Sequence, residues 1–95
     1  MEKVLFKSEE PKKTSEAAAV LRTIADKIEQ GEITFSRGAE EVQLAIPQNL
    51  VLEIKVESET KAGRPGEKKS LEIELEWREG QPGDDTGTGG EVAVS

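Results

Sequence analysis

The sequence has no cysteine, no histidine, no tyrosine and only one tryptophan. Without cysteine there is neither a disulfide nor a thiolate metal site to stabilise so short a chain. The missing histidine removes the commonest general base and the commonest transition-metal ligand, and the missing tyrosine removes the phenolic acid. An enzyme on this chain would have to work with carboxylates, Ser, Thr and Lys alone. Catalysis therefore ranks last among its functions, and no catalytic residue, cofactor or cofactor-binding residue is assigned. Long apolar runs are lacking too: none approaches the ~18 residues that read as a membrane span. The run Met1-Glu2-Lys3-Val4-Leu5-Phe6-Lys7 is too short for a signal peptide, so a cytoplasmic protein is expected. Basic charge is in the minority. Thirteen Lys and Arg against twenty Asp and Glu give a net charge of −7, which disfavours nucleic acid and anionic membrane as partners. Gly38, Gly63 and Gly66 lack nucleotide-binding spacing and read as turn residues. Arg37, Lys12, Lys13, Lys68 and Lys69 are scattered loop charges without the aromatic interleaving of a nucleic-acid surface.

What is present is organised around Ser70-Leu71-Glu72-Ile73-Glu74-Leu75-Glu76-Trp77. Apolar and acidic residues alternate without a slip. A period of two puts Leu71, Ile73, Leu75 and Trp77 on one face of a strand and three glutamates on the other. Such a strand needs cover on one side and water on the other.

The rest of the chain reads as a supplier of that cover. Val4-Leu5-Phe6-Lys7 predicts a short outer strand. Thr14 is placed to cap a helix from Ser15 to Gln30, with Glu16 in the first turn and Gly31 at the left-handed C-cap. Ala17, Leu21, Ile24 and Ile28 form its apolar stripe, widened by Ala18 and Ala25. Two strands, Ile33 to Ser36 and Val42 to Ile46, are joined by the hairpin loop Arg37-Gly38-Ala39-Glu40. Pro47-Gln48-Asn49 interrupts the ladder. Leu50 to Glu59 is the next strand, with Leu50, Leu52, Ile54 and Val56 inward and Glu53, Lys55 and Glu57 outward. Thr60 to Lys69 is a hairpin tip, and the strand ending in Trp77 closes the domain. The expected architecture is two-layer α+β: β-α-β-β-β-β, one antiparallel sheet of about five strands with the helix on its apolar face. Residues 1–79 form this domain. Residues 80–95, rich in Gly and acid and including Asp84-Asp85-Thr86-Gly87, read as a disordered tail.

The strand Leu71-Glu72-Ile73-Glu74-Leu75-Glu76-Trp77 resembles the amphi-Trp domain family, small prokaryotic proteins named for an amphipathic strand ending in tryptophan. The resemblance extends to Val4-Leu5-Phe6-Lys7-Ser8-Glu9, to the helix from Ala17 to Asp26 leading into Gly31, and to Val51-Leu52-Glu53-Ile54-Lys55-Val56-Glu57. It covers about residues 3 to 79. It implies the fold, and it brings no activity, substrate, cofactor or catalytic residue with it.

Two features invite a functional reading. Glu72, Glu74 and Glu76 on one strand, with Glu53 and Glu57 on the other, could offer carboxylate oxygens to a hard cation. The plainer reading is a solvated face that keeps the sheet soluble, and side chains on a flat sheet splay apart. Trp77 reads first as a core residue ending its strand, next as an anchor for a partner protein, and last as a stacking platform. The expected function is a non-enzymatic interaction or structural module. Its partner would be a second copy or another protein, engaged through a sheet edge. A cation- or small-ligand-binding domain using the acidic face is the alternative.

Overall fold

Helix α1 spans Thr14–Gln30, built from the run of strong helix formers that the sequence places there. Its boundaries are set by local chemistry. At the start the Glu16 carboxylate accepts the Lys13 N–H at 3.1 Å, so the capping residue is Lys13 and not Thr14. A lysine side chain has no acceptor to return the bond, and the cap rests on the glutamate alone. At the end Gly31 adopts φ +87°, and its N–H bonds the carbonyls of Ile28 and Lys27, as the left-handed cap requires.

The computed structural model describes residues 2–79 and 92–95. It divides into two units, Met1–Ile46 and Pro47–Ser95. In the first, β1 (Glu32–Arg37) and β2 (Glu40–Ala45) pair antiparallel. The turn between them is Gly38-Ala39, with Gly38 at φ +59°, the left-handed start that a two-residue hairpin favours. Arg37 and Glu40 bridge its mouth at 3.1 Å. The register sets Ile33 opposite Leu44 and Phe35 opposite Val42, so these four share a face. Ile33, 6 % exposed, is the core residue there. Phe35, Val42 and Leu44 are half-buried, as are Ala18, Ile24 and Ile28 of α1, whereas Leu21 is 52 % exposed. The helix stripe is thus sheltered mainly towards its C-terminal half.

The second unit contains β3 (Val51–Glu59) and β4 (Lys68–Glu76), also antiparallel. Its register keeps the alternation of the sequence: Leu52 faces Leu75, Ile54 faces Ile73 and Val56 faces Leu71. The face they form is open. Leu52, Ile54, Val56, Leu71 and Ile73 are between 39 % and 73 % exposed, and only Leu75 is half-buried. The loop carries Gly63 and Gly66 at φ +84° and +83°.

Two further expectations need correction. The four strands form two sheets of two, and not one sheet of five. Each hairpin closes over a short loop at little entropic cost. Pro47 stands between them and has no N–H with which to carry a ladder onward. Val4-Leu5-Phe6-Lys7 forms no strand. Val4 and Leu5 are 75 % and 59 % exposed, and Phe6 is held by its ring, stacked 5.7 Å from Phe35. A run this short has one strong contact to make, and a side chain makes it without a backbone ladder. Residues 92–95 are exposed and lie outside any helix or strand. The expected disordered tail otherwise falls on 80–91, outside the described residues. No described helix is long and apolar enough to cross a membrane.

Candidate functional site

The charged face of the β3–β4 hairpin follows from its register. Because pairing places Glu53 opposite Glu74 and Lys55 opposite Glu72, the lone lysine of the strand stands in the middle of five glutamates. Lys55 Nζ lies 3.3 Å from Glu57 and 3.5 Å from Glu72. Its pKa is raised, first by the hydrogen bond and charge of Glu57 and then by those of Glu72. Two of the five carboxylates are therefore spoken for.

The other three meet on their own. Glu53, Glu74 and Glu76 each bring a carboxylate oxygen within 4.8 Å of the others, all on exposed residues. A shared hydrogen bond with the Glu76 carboxyl, followed by its charge, pushes the Glu74 carboxyl above its ordinary value, and Lys55 only partly opposes this. Crowded acids hold their protons because ionising all of them concentrates like charge. Chemically the trio offers hard oxygen ligands, but calcium takes 6–8 oxygens, commonly from an enclosing loop. Beside it Glu53, Lys55, Glu72, Ile73 and Glu74 line a shallow groove of about 250 Å³, below the usual ~300–1,000 Å³ of small-molecule pockets.

The apolar face has a polar boundary at the hairpin tip. Ser58 and Lys69 are register partners, two positions beyond Val56 and Leu71 and so on the apolar side. Lys69 Nζ lies 2.7 Å from Glu67 and donates to Ser58 Oγ at 3.1 Å, while Ser58 donates to Glu67 at 3.1 Å. Lys69 first, then Ser58, holds the Glu67 carboxyl below its ordinary value. Trp77 follows the last residue of β4 and is half-buried.

Of the residues singled out in the sequence, the structure gathers Glu53, Glu74 and Glu76 and assigns Glu57 and Glu72 to Lys55. One cluster went unread. Arg37, expected in the loop, is the last residue of β1 and lies with its guanidinium carbon 5.5 Å from the centre of the Phe6 ring, above the Phe6–Phe35 stack. The signal was present: these are the only two phenylalanines, and Arg37 follows Phe35 by two, on the same side of β1.

Comparison with known proteins places this geometry in a family. The family model of the amphi-Trp domain matches residues 1–95, the whole chain. No curated protein and no solved structure matches it.

Proposed function

We propose that this chain, which by that whole-length match belongs to the amphi-Trp domain family, is a non-enzymatic protein-interaction module that works through its β3–β4 hairpin. The observation that carries the reading is the open apolar face. Leu52, Ile54, Val56, Leu71 and Ile73 stand 39–73 % exposed side by side on the two strands, backed by charge and stopped by the Ser58–Glu67–Lys69 cluster. Contiguous apolar surface rimmed by polar residues marks interaction sites. A two-stranded sheet also leaves both strand edges able to accept another strand. The reading includes a cytoplasmic setting in a prokaryotic cell, in keeping with the resemblance noted above. Native mass spectrometry of the protein purified from cells tests it. Discrete masses of an oligomer or a defined complex are expected, diminished by Ile73→Asp, and a bare monomer under all conditions would overturn it.

The alternative is a cation held by the acidic face, and the convergence of Glu53, Glu74 and Glu76 within 4.8 Å is the observation in its favour. Its test is thermal. Saturation at a hundred times the dissociation constant would stabilise by about 2.7 kcal/mol, several degrees in a domain of this size. Millimolar calcium or magnesium is expected to leave the melting temperature unchanged. A rise that Glu53→Gln abolishes would promote the trio to ligands.

A further inference from the structure

We propose that the partner is a second copy of this chain, and that the two copies join their β3 edges antiparallel about Ile54. Glu53 and Lys55 of each copy then face Lys55 and Glu53 of the other. The proposal rests on the reading of the hairpin as an interaction surface and specifies what it takes.

Among the described residues strand β3 and strand β4 each have one partner, so each leaves an edge open. Charge separates the two edges. Residues opposed in an antiparallel pair lie on the same side of the sheet. Two copies of β4 that keep apolar beside apolar must therefore set glutamate beside glutamate. Centring on Ile73 opposes Glu72 to Glu74, and centring on Leu75 opposes Glu74 to Glu76. Centring on Leu71 avoids this by opposing Glu74 to Lys68, but it sets Ile73 against Lys69, so no register of β4 matches both its charges and its apolar residues.

Lys55 gives β3 a different pattern. Among registers that use most of the strand, centring on Lys55 opposes two lysines, and centring on Glu53 or Glu57 opposes two glutamates. Centring on Val56 opposes Glu53 to Glu59. Only centring on Ile54 sets no like charges against each other. It pairs Glu53 with Lys55 twice over, Leu52 with Val56 twice over, and Ile54 with its symmetry mate. The product is a four-stranded sheet with one continuous apolar face. It also answers the crowding of Glu53, Glu74 and Glu76, because Lys55 of the other copy arrives beside Glu53 from the open side.

The test is a charge exchange read by analytical ultracentrifugation of the full chain over a dilution series. Lys55→Glu and Glu53→Lys each turn two attractions into two repulsions, and each is expected to weaken dimerisation by about tenfold or more. The double variant Glu53→Lys/Lys55→Glu restores both pairs and is expected to recover affinity to within about threefold of the parent. Both positions are exposed, and circular dichroism verifies that the variants fold.

A second measurement does not depend on charge. The chain has no cysteine, and residues opposed across an antiparallel pair lie about 4.5–5.5 Å apart between Cα atoms, within disulfide reach. Ile54→Cys is expected to give a covalent dimer on mild oxidation at dilute concentration, and Ile73→Cys is not. A parent that stays monomeric overturns the second copy as partner. If native mass spectrometry still shows a defined complex, the interaction reading stands without it. A parent that dimerises with an affinity indifferent to the exchange, or that cross-links through residue 73 as readily as through 54, keeps the interaction reading and overturns this register.

Discussion

Replacing Ile33 by alanine should destabilise the first unit more than any other single truncation of an aliphatic side chain in α1, β1 or β2. Ile33 is 6 % exposed, and no other apolar residue is as fully enclosed among the described residues. The substitution removes three carbons, worth ~0.8 kcal/mol each when buried. The cavity left behind raises the total to about 2–5 kcal/mol. A segment the length of Met1–Ile46 would have ~2–7 kcal/mol to lose at the average stability per residue, so the variant should sit at or near its unfolding threshold. Leu21→Ala deletes as many carbons from a side chain that is 52 % exposed and should cost only about 1 kcal/mol. Urea titration followed by far-ultraviolet circular dichroism reads the loss of α1. The fluorescence of Trp77 separately reports the unit that holds β3 and β4. A midpoint for Ile33→Ala within about 0.5 kcal/mol of the parent, or a loss for Leu21→Ala as large as for Ile33→Ala, would refute the placement of the core.

Gly31→Ala is expected to cost about 1–2 kcal/mol from the backbone alone. The reason is that φ is +87° while the nearest atom to an added Cβ is the Ile46 carbonyl oxygen at an unstrained 3.9 Å, and a urea midpoint measures the loss. Glu74→Gln should raise the melting temperature and Glu72→Gln lower it, although the two change one strand and one face alike, because Glu74 is crowded by acids and Glu72 pairs with Lys55. The same pair has a pH signature. With its carboxyl held above the ordinary value of 4.5, folded Glu74 binds its proton more readily than in the unfolded chain, so its ionisation opposes folding and acidification from neutrality relieves the strain. Glu67, held below 4.5, acts in the other direction: its contribution is present above that pH and lost as the pH falls beneath it. Thermal melts across pH should therefore show a gain on mild acidification in the parent that Glu74→Gln lacks.

The helix, its C-cap and both hairpins were legible because each is written in neighbouring residues. The spacing of Leu21, Ile24 and Ile28, the glycine at position 31 and the alternation through β3 and β4 need no knowledge of distant partners. The division into two sheets was not legible, since alternation says which side of a strand is apolar and is silent on which strand lies beside it. Val4-Leu5-Phe6-Lys7 was misread for the same reason: its β-forming side chains promised a ladder, and the structure uses Phe6 as a ring contact. At the acidic face the residue types were clear but their grouping was not. Whether Glu74 meets Lys55 or Glu53 depends on the register across the loop from Thr60 to Glu67, and a shift of two residues would exchange their neighbours. Trp77 marked the end of the amphipathic strand correctly, yet it is only half-buried, because the face it shares is open.

Hydrogen exchange reads directly whether the edge of β3 is where this protein meets its partner, as proposed above. Amides of β3 that point away from β4 have no partner within the hairpin and should exchange quickly when the chain is dilute. Pairing through the β3 edge predicts that raising the protein concentration slows exchange over residues 51–57 and leaves the outer edge of β4, over residues 71–76, unchanged. Exchange over 51–57 that is independent of concentration, or protection that develops along β4 instead, would contradict it.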